Sequence, residues 1–137
     1  MAWPIETIPD ADEVYMRVLR IDCDDASVKP AAFRDHQGMS ADWARYATPA
    51  DTRQGRQGAA EYAVIALVVG AVRKATPLRV RHSPIEPTAD EPRGNRAHCD
   101  ILGLNRDELS KGDIAETRLT LRRMAQMRIP IDDPVTS

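Results

Sequence analysis

The chain has 137 residues, 42% of them apolar and 29% charged, with a formal net charge of −2. That length is expected to give one domain with a real core, and the composition excludes an acidic disordered chain. So balanced a charge gives no support for a nucleic-acid footprint or for binding to an anionic membrane surface.

Residues 1–13, MAWPIETIPDADE, read as an extended acidic arm in which Trp3 and Ile5 are available to dock on a neighbour. They lack a charged n-region and an apolar h-region, so no signal peptide is expected. Glu13 to Ile21, EVYMRVLRI, alternates as a strand does, with Val14, Met16 and Val18 on one face and Tyr15, Arg17 and Leu19 on the other. Asp22 to Ala26 ends it as a solvated turn, since the glycine and distal glutamate of a calcium loop are both missing. Val28 to His36 opens a short helix through Pro30, with Phe33 as its core anchor. Met39 to Tyr46, MSADWARY, reads as a second short helix capped by Ser40 or Asp42, with Trp43 and Tyr46 on one face. Thr48-Pro49-Ala50-Asp51 starts a third, soon lost in the RQGRQG loop.

Glu61 to Val69 is nearly continuous apolar sequence; a buried strand fits it, with a buried helix as the alternative, and the run is too short to span a bilayer. After a short helical connection, Leu78 to His82 forms a strand with Leu78 and Val80 inward and Arg79 and Arg81 outward. Ser83 to Asn95 is a long loop and Ala97 to Leu102 the returning strand. A C-terminal amphipathic helix begins at a D-x-x-E capping box, Asp113 and Glu116, buries Ile114, Leu121, Met124 and Ala125, and carries Arg122, Arg123 and Arg128 towards its end. Pro130 stops it. Residues 14–129 therefore form a single α+β domain, a small mixed or antiparallel sheet of about four strands with short helices, and residues 130–137 a loose tail.

The candidate site is the mouth of the hairpin within Leu78 to Gly103. His82 ends one strand and His98 begins the next, so the two are expected to face each other, with Asn95, Arg81, Arg93 and Arg96 nearby. Two imidazoles, an amide and guanidinium groups suit a phosphate or carboxylate, and a histidine there can serve as general acid or base. The alternative is that both histidines bond to loop backbone and hold the excursion in place. Cys23 and Cys99 lack a CxxC partner and read as reduced thiols of a cytoplasmic protein. Adjacent His98 and Cys99 would point to opposite faces of a strand, so no metal set is expected, nor any cofactor. The run of Arg73, Lys74, Arg79 and Arg81 reads as a solvated face or as the partner of the acidic arm. No GxGxxG, Walker, GxSxG or HExxH motif occurs.

Taken together, VYMRVLRI, KPAAFRD, GMSADWARYATPADT and NRAHCDILG resemble a group of small prokaryotic proteins. These share an early arginine-bearing strand, an AF segment, an L/M-S-x-D segment and an N-x-A-H-x-x-I-x-G segment. The resemblance covers Tyr15 to about Gly103 and matches at Arg17, Phe33, Ser40, Asp42, Asn95, His98 and Gly103. The group has no settled activity, so the resemblance implies a pattern and no reaction. Arg17 and Ser40 are also analogous to the strand Arg and later Ser with which ADP-ribosyltransferase-like domains hold a nicotinamide dinucleotide, but a suitably placed glutamate is missing.

Two functional readings follow. One is a small non-catalytic partner protein of a bacterial multi-gene system, acting on another protein or on its own copy. The other is a small enzyme or ligand-binding domain for a phosphate-bearing or nucleotide-like ligand, with His82 and His98 catalytic and Arg17, Ser40, Arg81, Asn95 and Arg96 in contact with the ligand.

Overall fold

In a computed structural model, which describes residues 2–24, 26–35 and 38–135, the alternating segments pair into one sheet. Its strands are β1 (Glu13–Leu19), β2 (Met39–Trp43), β3 (Tyr62–Val68), β4 (Arg79–His82), β5 (His98–Leu102) and β6 (Gln126–Ile129). Their order is β4-β5-β2-β1-β3-β6, and every neighbouring pair is antiparallel. The α-helices are α1 (Pro49–Gln54), α2 (Val69–Ala75) and α3 (Lys111–Met124). The fold is thus α+β, as its sequence suggests, with an all-antiparallel sheet of six strands.

Alternation along the strands divides the sheet into two unlike faces. Val14, Met16 and Val18 of β1, Met39, Ala41 and Trp43 of β2, Ile65 and Leu67 of β3, Val80 of β4, and Cys99 and Ile101 of β5 share one core. Helices α2 and α3 close that core with Val72, Ile114 and Leu121, and Phe33 and Ile8 join them. Tyr15, Arg17, Ser40, Asp42 and His98 occupy the opposite face, which α1 and the loop after β4 cover only in part.

Several elements differ from their sequence signals. Met39–Trp43 is a strand, not a helix, because Met39, Ala41 and Trp43 reach the core only at a period of two. Pairing with both β1 and β5 then outweighs the local cap signals of Ser40 and Asp42. Trp43 and Tyr46 still meet edge to face, with ring centroids 5.3 Å apart. Of the expected Val28–His36 helix, residues 28–35 form only a 3-10 turn at Pro30–Ala32, although Phe33 is fully buried; His36 lies outside the described residues. Asp22 is not solvated but buried, both its oxygens accepting from Arg34 at 2.9 Å; Asp25 lies outside the described residues. Ser110 caps α3 by accepting from the Asp113 amide, so the helix starts ahead of the expected box. It ends at Met124, because Gln126–Ile129 extends as an edge strand on β3 and Arg128 there pairs with Glu13. At α1 the signal holds in full: Thr48 and Asp51 cap each other reciprocally and Pro49 opens the helix.

The N-terminal segment lies against its own chain. Ile8 enters the core, the Trp43 indole N–H donates to Asp12 at 2.9 Å, and Arg73 donates to Asp10 and to the Ile8 carbonyl. Of the basic run, Arg73 therefore pairs with the acidic arm, and Arg79 pairs with Glu108 at 2.8 Å. Among the described residues no helix is long and apolar enough to cross a membrane.

Glu6 anchors the middle of this segment. The Tyr46 hydroxyl donates to its carboxylate, and Arg45 donates at 3.0 Å. The Tyr46 bond, against some desolvation and with help from Arg45 and Arg96, holds the Glu6 carboxyl below its ordinary value of 4.5. A depressed folded-state value means that the stabilisation is complete above the unfolded-state value and is lost as pH falls through the folded one. Glu6→Gln is therefore expected to lower Tm at neutral pH, with the deficit shrinking below pH 4.5, as thermal unfolding across pH would measure. A deficit independent of pH would count against this anchor.

Candidate functional site

The β4–β5 register decides which histidine can do chemistry. It pairs His82 with Cys99 and Arg81 with Asp100. Directly paired residues share a face, so His82 turns with Cys99 into the core and His98 turns the other way. The facing pair of histidines expected at the loop mouth does not form. His82 is buried, 1% exposed; its Nδ1 accepts from the Glu6 amide at 3.0 Å and its Nε2–H donates to the Arg96 carbonyl at 2.7 Å. Trp43 meets its ring edge to face and Tyr46 stacks on it. His82 thus pins the N-terminal segment to the end of the long loop. Cys99 is sealed beside it, and burial pushes its thiol well above the usual range. Arg81 is exposed on the outer face and does not line the cleft described next.

Arg17, Ser40, Asn95, Arg96 and His98, by contrast, open on one cleft of about 800 Å³ over the outer face of the sheet. Its floor is β1, β2 and β5, and its walls are α1, the loop after β4 and Trp3. Asp42 sits in the floor, 8% exposed. One of its oxygens accepts from the Thr52 hydroxyl of α1 at 2.8 Å and the other from the Asn95 amide at 2.9 Å. The carboxylate therefore ties both walls to the sheet. Arg17 reaches from β1 to the same helix, donating to the Thr52 carbonyl at 2.8 Å. Ile85 and Asn95 bond reciprocally across the base of the loop, and Gly94, at φ +61°, makes the crossing. A Cβ at Gly94 would stand 2.4 Å from the Ile85 carbonyl oxygen, so only glycine fits there.

His98 is held by the same strand ends. Its Nδ1 lies 2.9 Å from the Ser83 carbonyl, which can only accept, so Nδ1 is assigned the proton. The Ser83 hydroxyl, 3.0 Å from Nδ1, donates in turn to Asp100 at 2.8 Å. The Nε2 lone pair then faces the Ser40 hydroxyl at 3.4 Å, and Asp100 has its second oxygen 3.9 Å from Nε2. Arg96 lays its guanidinium over the Tyr46 ring, 4.3 Å to the centroid, and its buried Nε has no hydrogen-bond partner among the described residues. Asp42, Thr52, Ser83 and Asp100 had no part in the sequence reading of the site. The alternation in MSADW and HCDIL is the signal that finds Asp42 and Asp100, once both segments are read as strands with one polar face; Thr52 and Ser83 lie outside both and are placed only by the fold.

Among the described residues no cluster of His, Cys, Asp and Glu is arranged to hold a metal ion. Comparison with protein-family models, with curated proteins and with solved structures yields no match for this chain.

The geometry separates the two histidines by consequence. His82→Ala removes two buried bonds and an aromatic partner and is expected to cost about 3 kcal/mol, whereas His98→Ala at the cleft edge should cost under about 1 kcal/mol. Urea unfolding of both variants checks this, and equal losses would contradict it.

Proposed function

We propose that the cleft binds a small ligand carrying a phosphate or similar anionic group. The supporting observation is convergence. Arg17 from β1, Ser40 from β2, His98 from β5, and Asn95 and Arg96 from the loop meet at one concavity, over a sheet face left polar. Guanidinium groups, an amide and a hydroxyl are donors that recognise phosphate oxygens. The lining arginines Arg17, Arg93 and Arg96 are matched by the carboxylates Asp42, Asp51 and Glu91, which favours a ligand of low net charge over a polyanion. Tyr15 and Trp3 add flat apolar surface for the rest of such a ligand. Two unpaired thiols, Cys23 and Cys99, fit a cytoplasmic setting.

The reading as a non-catalytic partner protein asks for a contiguous exposed apolar patch. Trp43 is in the core, and the exposed large apolar side chains among the described residues, Ile5, Leu19, Ile21, Ile85, Leu119 and Val135, include only one pair close in sequence, Leu19 and Ile21. We therefore favour the cleft. Calorimetry with inorganic phosphate, pyrophosphate and nucleoside monophosphates tests it. At least one should bind, and Arg96→Gln should weaken that binding about tenfold or more, the loss of one charge-assisted bond. Failure of all of them to bind, or binding indifferent to Arg96→Gln, would overturn the reading.

A further inference from the structure

We propose that Ser40 is the nucleophile, and His98 its general base, in the cleavage of a phosphodiester held in the cleft; this rests on reading the cleft as a site for a phosphate-bearing ligand. The arrangement has the three parts that an activated serine requires. The nucleophile is accessible: Ser40 is exposed on the cleft floor. The base is placed and in the right tautomer: His98 keeps Nδ1–H on the Ser83 carbonyl and turns its Nε2 lone pair to Ser40 Oγ at 3.4 Å, a separation that a bound substrate can tighten. A carboxylate stands by the proton-bearing ring: Asp100, bonded through the Ser83 hydroxyl, keeps an oxygen 3.9 Å from Nε2, where positive charge arises when the ring takes a proton.

The surroundings favour phosphorus over carbonyl carbon. Ser40 lies within strand β2, paired to Asp100 of β5, and not on the sharp strand-to-helix elbow whose amides stabilise a tetrahedral acyl intermediate. Arg17 and Arg96 line the cleft instead, and guanidinium groups stabilise charge on phosphoryl oxygens. A diester, with one negative charge, suits a lining in which arginines and carboxylates balance.

In the first step the Ser40 Oγ–P bond forms as the bond from phosphorus to the leaving alkoxide breaks. The Ser40 proton passes to His98 Nε2 and from there to the alkoxide, which departs as an alcohol. In the second step water attacks phosphorus and gives a proton to His98 Nε2. The P–Oγ bond breaks and that proton returns to Oγ. The sum is a diester plus water giving a monoester plus an alcohol, with no redox change.

The test uses bis(4-nitrophenyl) phosphate as substrate and an alkyl fluorophosphonate as trap, in which Oγ replaces fluoride at phosphorus. Wild-type protein should release nitrophenolate, and intact mass with peptide mapping should place the fluorophosphonate adduct on Ser40. Ser40→Ala should abolish both, and His98→Ala should slow both by about a hundredfold or more, the usual contribution of a positioned base. Circular dichroism confirms that the variants fold, and Ser40→Cys, which keeps a nucleophile, should still be modified. No cleavage and no adduct on Ser40, while calorimetry still shows the phosphate ligand bound, would overturn the nucleophile and leave the binding site standing. Loss of that binding as well would overturn both.

Discussion

The two-residue period of the antiparallel sheet is the constraint on which everything else depends. One register, His82 on Cys99, sends one histidine into the core and the next strand's His98 into the cleft. The same alternation puts Val14, Met16 and Val18 in the core while leaving Tyr15 and Arg17 on the open side. A slip of one residue would exchange the two sets, burying Arg17 and exposing the core. The apolar face therefore fixes the polar one: the hydrophobic requirement of the core sets the positions from which the cleft side chains project.

Asp42 is the point where the cleft itself is assembled. A nearly buried carboxylate is costly unless it is well bonded. Its two oxygens are met by different structures, Thr52 on α1 and Asn95 on the loop. Those two walls are far apart in sequence, and the carboxylate couples them through the sheet. His82 does the matching work on the other face, where its ring joins the Glu6 amide to the Arg96 carbonyl. Arg96 is thus positioned by a core histidine while its guanidinium, stacked on Tyr46, belongs to the cleft. The register thus divides the two imidazoles, His82 to the core and His98 to the cleft.

What the sequence made legible follows from how local each signal is. EVYMRVL alternates densely and EYAVIALVV is a nearly continuous apolar run, and β1 and β3 sit there. Thr48-Pro49-Ala50-Asp51 is a cap complete within four residues, and α1 starts on it. MSADW misleads because Ser and Asp are strong cap residues, whereas the pairing of β2 is with strands distant in the chain. QMRI merges with the helix before it, because only its neighbour β3 reveals it as an edge strand. Within the site, Asn95 and His98 are legible from chemistry alone. The face of His82 is legible from alternation, since Leu78 and Val80 inward carry His82 inward with them; what local sequence leaves open is the register that sets it against Cys99.

On this reading the polar face of the sheet is a ligand site. Amide and side-chain NMR shifts of isotopically labelled protein, followed during titration with phenyl phosphate, test it most directly. Saturable shifts are expected at Arg17, Ser40, Asp42, Asn95, Arg96 and His98, with His82 and the α3 residues Ile114 and Leu121 unmoved. Saturable shifts centred on α3 or on Leu19 and Ile21, or none at any concentration, would contradict it.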